Sequence, residues 1–168
     1  MRRRTKIVIG VVATPLALVA LVWTVGACLP AAHTATVEAR FASPPAVLWS
    51  AVSDLEGSAA WRPSATRVVR LADRDGRAVY EETNDFGPVR YEVVEATPPA
   101  RLVTRIVDEA EFGGTWTYVL ADDGGGTRLT ITEDGVVHAP VFRFVSRFVM
   151  GHDATLRTYL GDLQRHVP

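Results

Sequence analysis

The chain has 168 residues, 48 % of them hydrophobic, and a formal net charge of −1. That is enough for one domain with a real core, and it excludes both a disordered and a fully membrane-embedded chain. Arg2, Arg3, Arg4 and Lys6 precede the first apolar run; removing their four positive charges leaves −5 for the rest, which holds no lysine. A mildly acidic domain with scattered arginines lacks the clustered basic face that phosphate backbones require, so nucleic-acid binding is not expected.

From Ile7 to Val37 the sequence has no Asp, Glu, Lys or Arg. As a helix, Ile7–Leu29 would span about 34 Å, against about 30 Å for a bilayer core. The basic cluster before it stays on the cytoplasmic side, which places the remainder outside. Three readings are open. The first is a retained signal anchor, a single transmembrane helix through residues 7–29. The second is a lipoprotein signal, because Val25-Gly26-Ala27-Cys28 resembles a bacterial lipobox. The third is a cleaved export signal. The division is residues 1–30 as anchor or signal and 31–168 as a folded domain. Cys28, the one cysteine, excludes an internal disulfide and a cysteine-based zinc site.

Thr34–Phe41 alternates polar and apolar residues, the period of a half-buried strand. Ser43 is placed to cap a helix, with Pro44 and Pro45 at its start. Val47, Leu48, Ala51, Val52 and Leu55 give that helix one apolar face, and Trp49 sits with its core side. Asp54 is placed to cap a second short turn, which Gly57 ends. Six strands follow, separated by short turns of Gly, Asp and Pro: Thr66–Asp73, a run at 77–84, one from Val89, Arg101–Glu109, a run at 114–121 and Thr127–Gly135. Such turns predict antiparallel hairpins. After Pro140 the period becomes 3.6. Val141, Val145, Phe148, His152, Leu156, Tyr159 and Leu163 form one stripe of a helix of roughly 25 residues.

Strands grouped together with helices at the ends define an α+β domain. The expected sheet has seven antiparallel strands, and one long C-terminal helix must cover it. A helix about 10 Å wide leaves part of a curved sheet uncovered, so a cavity is expected.

Three stretches then carry a resemblance: FASPPAVLWSAVSDLEGSAAWRPSATRV, GTWTYVLADDGGGTRLTITEDG and the closing RTYLGDLQRHV. Over about Thr34–Val167 the chain resembles the START-like (SRPBCC) superfamily, in its polyketide cyclase/dehydrase type. The resemblance implies a helix-grip fold, a curved sheet wrapped on the long C-terminal helix. It also implies a ligand that is a lipid, sterol, polyketide or hormone, with cyclisation or dehydration in some members. In such a fold Trp61 follows the short helices and points toward the cavity mouth.

Sheet parity adds candidates. Leu129, Ile131 and Glu133 share one face, so a carboxylate is in phase with core residues; it needs a partner or a raised pKa, and an arginine or tyrosine from a neighbouring strand is expected to supply the partner. Glu133 reads as a polar anchor or a general acid/base. Trp116, Tyr118 and Leu120 share a face, as do Tyr80 and Phe86, and Tyr91 alternates with Glu92. Phe148 and His152 come from the last stripe. The candidate ligand-binding set is therefore Trp61, Tyr80, Phe86, Tyr91, Trp116, Tyr118, Glu133, Phe148 and His152, with Glu133 and His152 as candidate proton-transfer residues. The four histidines do not cluster at metal-ligand spacing, and no dinucleotide or phosphate loop is present. No cofactor is expected. The leading expectation is a membrane-tethered binding or carrier domain for a small hydrophobic ligand. The alternatives are a cyclase or dehydratase, and an interaction module with a filled cavity.

Overall fold

The computed structural model describes residues 16–85 and 87–167. Residues 16–28 are helical (α1). No helix among the described residues is long and apolar enough to cross a membrane. The expected span over residues 7–29 lies partly outside the described residues, as does the candidate Phe86. Cys28 is exposed at the end of α1.

The chain continues as β1 (Ala32–Phe41), α2 (Pro45–Ser53), a 3-10 turn (Gly57–Ala60), β2 (Arg67–Arg70), β3 (Val79–Asn84), β4 (Gly87–Thr97), β5 (Arg101–Val107), β6 (Phe112–Asp122) and β7 (Thr127–Val137), and closes with α3 (Pro140–Val145), a π-helical turn (Ser146–Met150) and α4 (Ala154–His166). This is an α+β architecture with one seven-stranded sheet, order β1-β7-β6-β5-β4-β3-β2, in which every pairing is antiparallel.

Three local expectations are corrected. The C-terminal segment is not one long helix. Gly151, at φ 83° and ψ 144°, takes a backbone conformation that strains any residue with a Cβ. It breaks the segment between the π-helical turn and α4. Val141 and Phe148, on the predicted apolar stripe, are consequently exposed, whereas Leu156, Tyr159 and Leu163 are buried. Ser43 does not cap α2. The N-cap position is Pro44, no side chain caps it, and the Ser43 carbonyl accepts a hydrogen bond from the Thr127 hydroxyl at 2.7 Å. Gly57 opens the 3-10 turn rather than ending a helix, and its N–H is held by the Asp54 carboxylate at 3.0 Å.

The core occupies one half of the sheet. Val37 and Phe41 of β1, Leu48 and Val52 of α2, Leu102 of β5, Tyr118 and Leu120 of β6, and Leu129 and Ile131 of β7 pack against Leu156, Tyr159, Leu160 and Leu163 of α4, with Trp49 and Trp61 at the margin. Burying each such side chain contributes on the order of 1.5–3 kcal/mol. At 13 residues, α4 is about 20 Å long and packs toward β1, leaving the part of the same face toward β3 and β4 for other groups to cover.

Candidate functional site

That uncovered part holds a cavity of about 280 Å³, just below the range of roughly 300–1,000 Å³ usual for ligand sites. Strand parity supplies its walls. Glu82 and Asn84 of β3, Val89 and Tyr91 of β4, Thr104 and Ile106 of β5, Trp116 and Tyr118 of β6, and Glu133 of β7 all line it. Leu55, Ser58 and Arg62 close it from the segment after α2, and Thr155 and Tyr159 from the first turns of α4.

One wall is an ion pair. The Arg62 guanidinium donates two hydrogen bonds to the Glu82 carboxylate, at 2.8 and 3.2 Å. Their side chains are only 13 % and 14 % exposed. Burial opposes the arginine's charge, but Glu82 outweighs it and raises the Arg62 pKa. The guanidinium also lies 5.1 Å from the centre of the Tyr159 ring, within cation–π range. Its Nε is buried without a hydrogen-bond partner, a donor whose desolvation is uncompensated.

Around the pair stand three tyrosines. Burial pushes Tyr91 and Tyr118 well above the ordinary phenol range. It pushes Tyr159 up to about 12, against the opposing pull of Arg62. All three hydroxyls keep their protons at physiological pH, and those of Tyr118 and Tyr159 are hydrogen-bonded to each other. Trp116, Tyr118 and Tyr159 meet ring to ring, at 5.6–6.1 Å between centres.

The opposite wall carries Glu133. Its pKa is raised to about 7 by burial, and a hydrogen bond from the Trp116 side chain, its register partner on β6, restrains the rise. The expected arginine or tyrosine partner is replaced by this indole and by His33, whose Nε2 lies 3.7 Å from the carboxylate. His33 stacks on His152, ring centres 4.2 Å apart. Burial first, and His152 second, hold the His33 pKa below its ordinary value. Gly135 makes this possible, because a Cβ there would sit 2.5 Å from the His33 ring.

Of the sequence candidates, Tyr91, Trp116, Tyr118 and Glu133 come together on the cavity wall. Tyr80 does not line the cavity; it stacks on its register partner Tyr91, 5.9 Å between centres. Trp61 does not line the cavity; it is wedged between Tyr159 and the exposed ring of His166. Phe148 is exposed and packs on Phe144. His152 lines a second, smaller pocket with His33. Sequence reasoning passes over Arg62, Glu82 and His33. Arg62 had a signal, an arginine directly beside Trp61. Glu82 shares parity with Tyr80. His33 carried none, because its partners are a hundred residues away. Among the described residues no group of His, Cys, Asp and Glu is placed to hold a metal ion.

A helical roof over one half of a curved antiparallel sheet, with a mixed aromatic and charged cavity beneath, defines a class. The chain belongs to the polyketide cyclase/dehydrase and lipid transport family, whose model matches residues 32–167. Solved structures agree in fold. The di-domain ARO/CYC protein BexL from the BE-7585A biosynthetic pathway is 16 % identical with a TM-score of 0.66; the match covers 86 % of this chain and 52 % of that one, so this chain spans about half of it. A protein from Thermus thermophilus, TTHA0849, is 20 % identical, TM-score 0.65, over 79 % of this chain and 95 % of that one. A START superfamily protein from Mycobacterium smegmatis is 17 % identical, TM-score 0.63, over 80 % and 97 %. At these identities the likeness is one of fold. No curated protein matches the sequence.

Proposed function

We propose that this domain binds a small, largely apolar molecule in the cavity between sheet and α4, and acts as a binding or carrier domain. The observation that carries the reading is the cavity itself. About 280 Å³ of space is walled by aromatic rings and by one buried ion pair. The rings contribute apolar contact area. Arg62 with its unpartnered Nε, together with the protonated tyrosines, can anchor one polar group of the ligand. The volume suits a single ring system or short isoprenoid better than a diacyl lipid. An interaction module would have this space filled by side chains; the open volume supports the binding reading instead.

Uptake tests this. The full chain in uncharged detergent is mixed with aromatic polyketide-like and isoprenoid probes while tryptophan fluorescence is followed. Saturable quenching by one probe class is expected; no response to either contradicts the proposal.

Glu133 supports a second reading, a cyclase or dehydratase. A carboxyl with a pKa of about 7 is poised to take or give a proton at neutral pH. It lines the cavity, whereas His152 does not. Turnover of a β-hydroxycarbonyl probe that Glu133→Gln abolishes would favour this reading; turnover retained in that variant removes Glu133 from it.

We further propose that the apolar run 7–29 tethers the domain to a membrane, with the domain extracytoplasmic and lipidation of Cys28 as the alternative anchor. The motive is the uncharged run behind a basic cluster. A reporter active only outside the cytoplasm, fused after Pro168, should be active. A silent but expressed fusion would reverse the topology.

A further inference from the structure

Beside the cavity, and on the other side of His33, lies a second pocket of about 90 Å³ between the end of α1, the start of β1, and the segment from α3 to the π-helical turn. Four of its ten lining residues are basic: His33, His152, Arg143 and Arg147. No carboxylate lines it. In a chain whose folded part is net acidic and whose arginines are mostly paired with acids, this concentration is unusual.

The two arginine charges here are not neutralised by an ion pair. Arg143 spends its guanidinium on three backbone carbonyls, those of Val137 at 2.7 Å, Leu29 at 3.3 Å and His138 at 2.8 Å. These bonds take three of its five N–H donors and leave its full positive charge in place. Neither Arg143 nor Arg147 makes an ion pair among the described residues. Two acids face the pocket's histidines rather than its arginines, and Asp153 also senses His152. Glu133 faces His33 from the cavity side at 3.7 Å, and Asp153 is held by Arg157 at 2.6 Å. His152 Nδ1 is buried without a hydrogen-bond partner. A buried ring nitrogen of this kind is costly unless a partner completes it.

An oxyanion supplies what is missing: negative charge for two arginines and a hydrogen-bond partner for an imidazole N–H. Arginine recognises tetrahedral oxyanions through paired N–H donors. We propose that this pocket is a binding site for a phosphate group, either free or as the headgroup of an anionic phospholipid. The setting fits both sources. Phe142, Phe148, Val149 and Met150 stand exposed on the same α3 and π-helical segment, where acyl chains could lie beside a seated headgroup. The site is separate from the main cavity, and His33 stands between it and Glu133 on the cavity wall. An anion here favours protonated His33, which then pairs with Glu133.

The test follows the imidazole resonances of His33 and His152 by NMR, with the full chain in uncharged detergent at pH 7. Three probes are titrated: inorganic phosphate, dihexanoyl phosphatidic acid and dihexanoyl phosphatidylcholine. Saturable shifts with inorganic phosphate assign a free-phosphate site. Shifts with phosphatidic acid alone assign a headgroup site. In either case Arg147→Glu, an exposed position that the fold does not need, should weaken binding at least tenfold, and His152→Gln several-fold. Arg67→Glu, at the opposite edge of the sheet, should leave it unchanged. The proposal is overturned if neither anion gives saturable shifts, if phosphatidylcholine binds as well as phosphatidic acid, or if Arg147→Glu binds like the wild type.

Discussion

Trp116 and Glu133 stand opposite one another on β6 and β7, and both side chains line the cavity. The indole hydrogen-bonds a carboxylate that burial has pushed up to about 7. A group of that kind gives the protein a pH signature.

Glu133 binds its proton more tightly in the folded than in the unfolded chain, whose carboxyl keeps the ordinary value of 4.5. Its contribution is therefore most favourable below about pH 4.5. It falls as pH rises toward 7 and stays low above that. Glu133→Gln keeps the hydrogen-bond acceptor and removes the charge. Relative to wild type it should gain about 1–3 kcal/mol between pH 4.5 and pH 8, since a tenfold change in proton affinity corresponds to about 1.4 kcal/mol. Urea unfolding of both proteins at the two pH values measures this. Parallel pH profiles would show that Glu133 titrates normally.

The Arg62–Glu82 pair predicts a non-additive pattern. Arg62→Met leaves a carboxylate buried without its partner and should cost about 3–5 kcal/mol. Adding Glu82→Leu should recover most of that loss. A double-mutant cycle by chemical denaturation reads the coupling. Two small and additive effects would place the pair in effectively aqueous surroundings.

Gly135 predicts a steric effect on the His33–Glu133 contact. In Gly135→Ala the new methyl would lie 2.5–2.6 Å from two ring atoms of His33 and 3.1 Å from the Glu133 carboxylate. The ring is stacked on His152 and has little freedom to retreat. The expected cost is about 1–3 kcal/mol, with displaced His33 resonances. Unchanged stability and resonances would mean that the histidine is not seated over this glycine.

The walls of the site were legible in the sequence where they depend on period two. Glu133 falls in phase with Leu129 and Ile131, and Trp116 with Tyr118, because alternate strand residues share a face whatever the register. Arg62 and Glu82 were not legible. Arg62 sits outside any regular element, and the two meet only when the segment after α2 folds back over β3, twenty residues on. His33 was hidden for the same reason, since Glu133 and His152 reach it through the β1–β7 pairing and the break at Gly151. That break also misplaced Phe148. Its spacing continues the stripe of α4, but Gly151 lies between them, and spacing carries no record of a positive φ.

The tryptophans offer a positional test. Trp116 lines the cavity, while Trp61 packs between Tyr159 and His166. Ligand-induced quenching should vanish in Trp116→Phe and persist in Trp61→Phe. The reverse pattern would move the binding site to the rim formed by α4 and its C-terminal histidine.

Native mass spectrometry bears most directly on the central claim that the cavity holds a small molecule. The full chain, expressed in its host and released from detergent in the instrument, should carry a noncovalent adduct. Val89→Trp, which places an indole in the cavity from β4, should fold normally and lose it. A wild-type chain that is uniformly empty and takes up nothing from lipid extracts would contradict the claim, as would an adduct carried equally by both proteins.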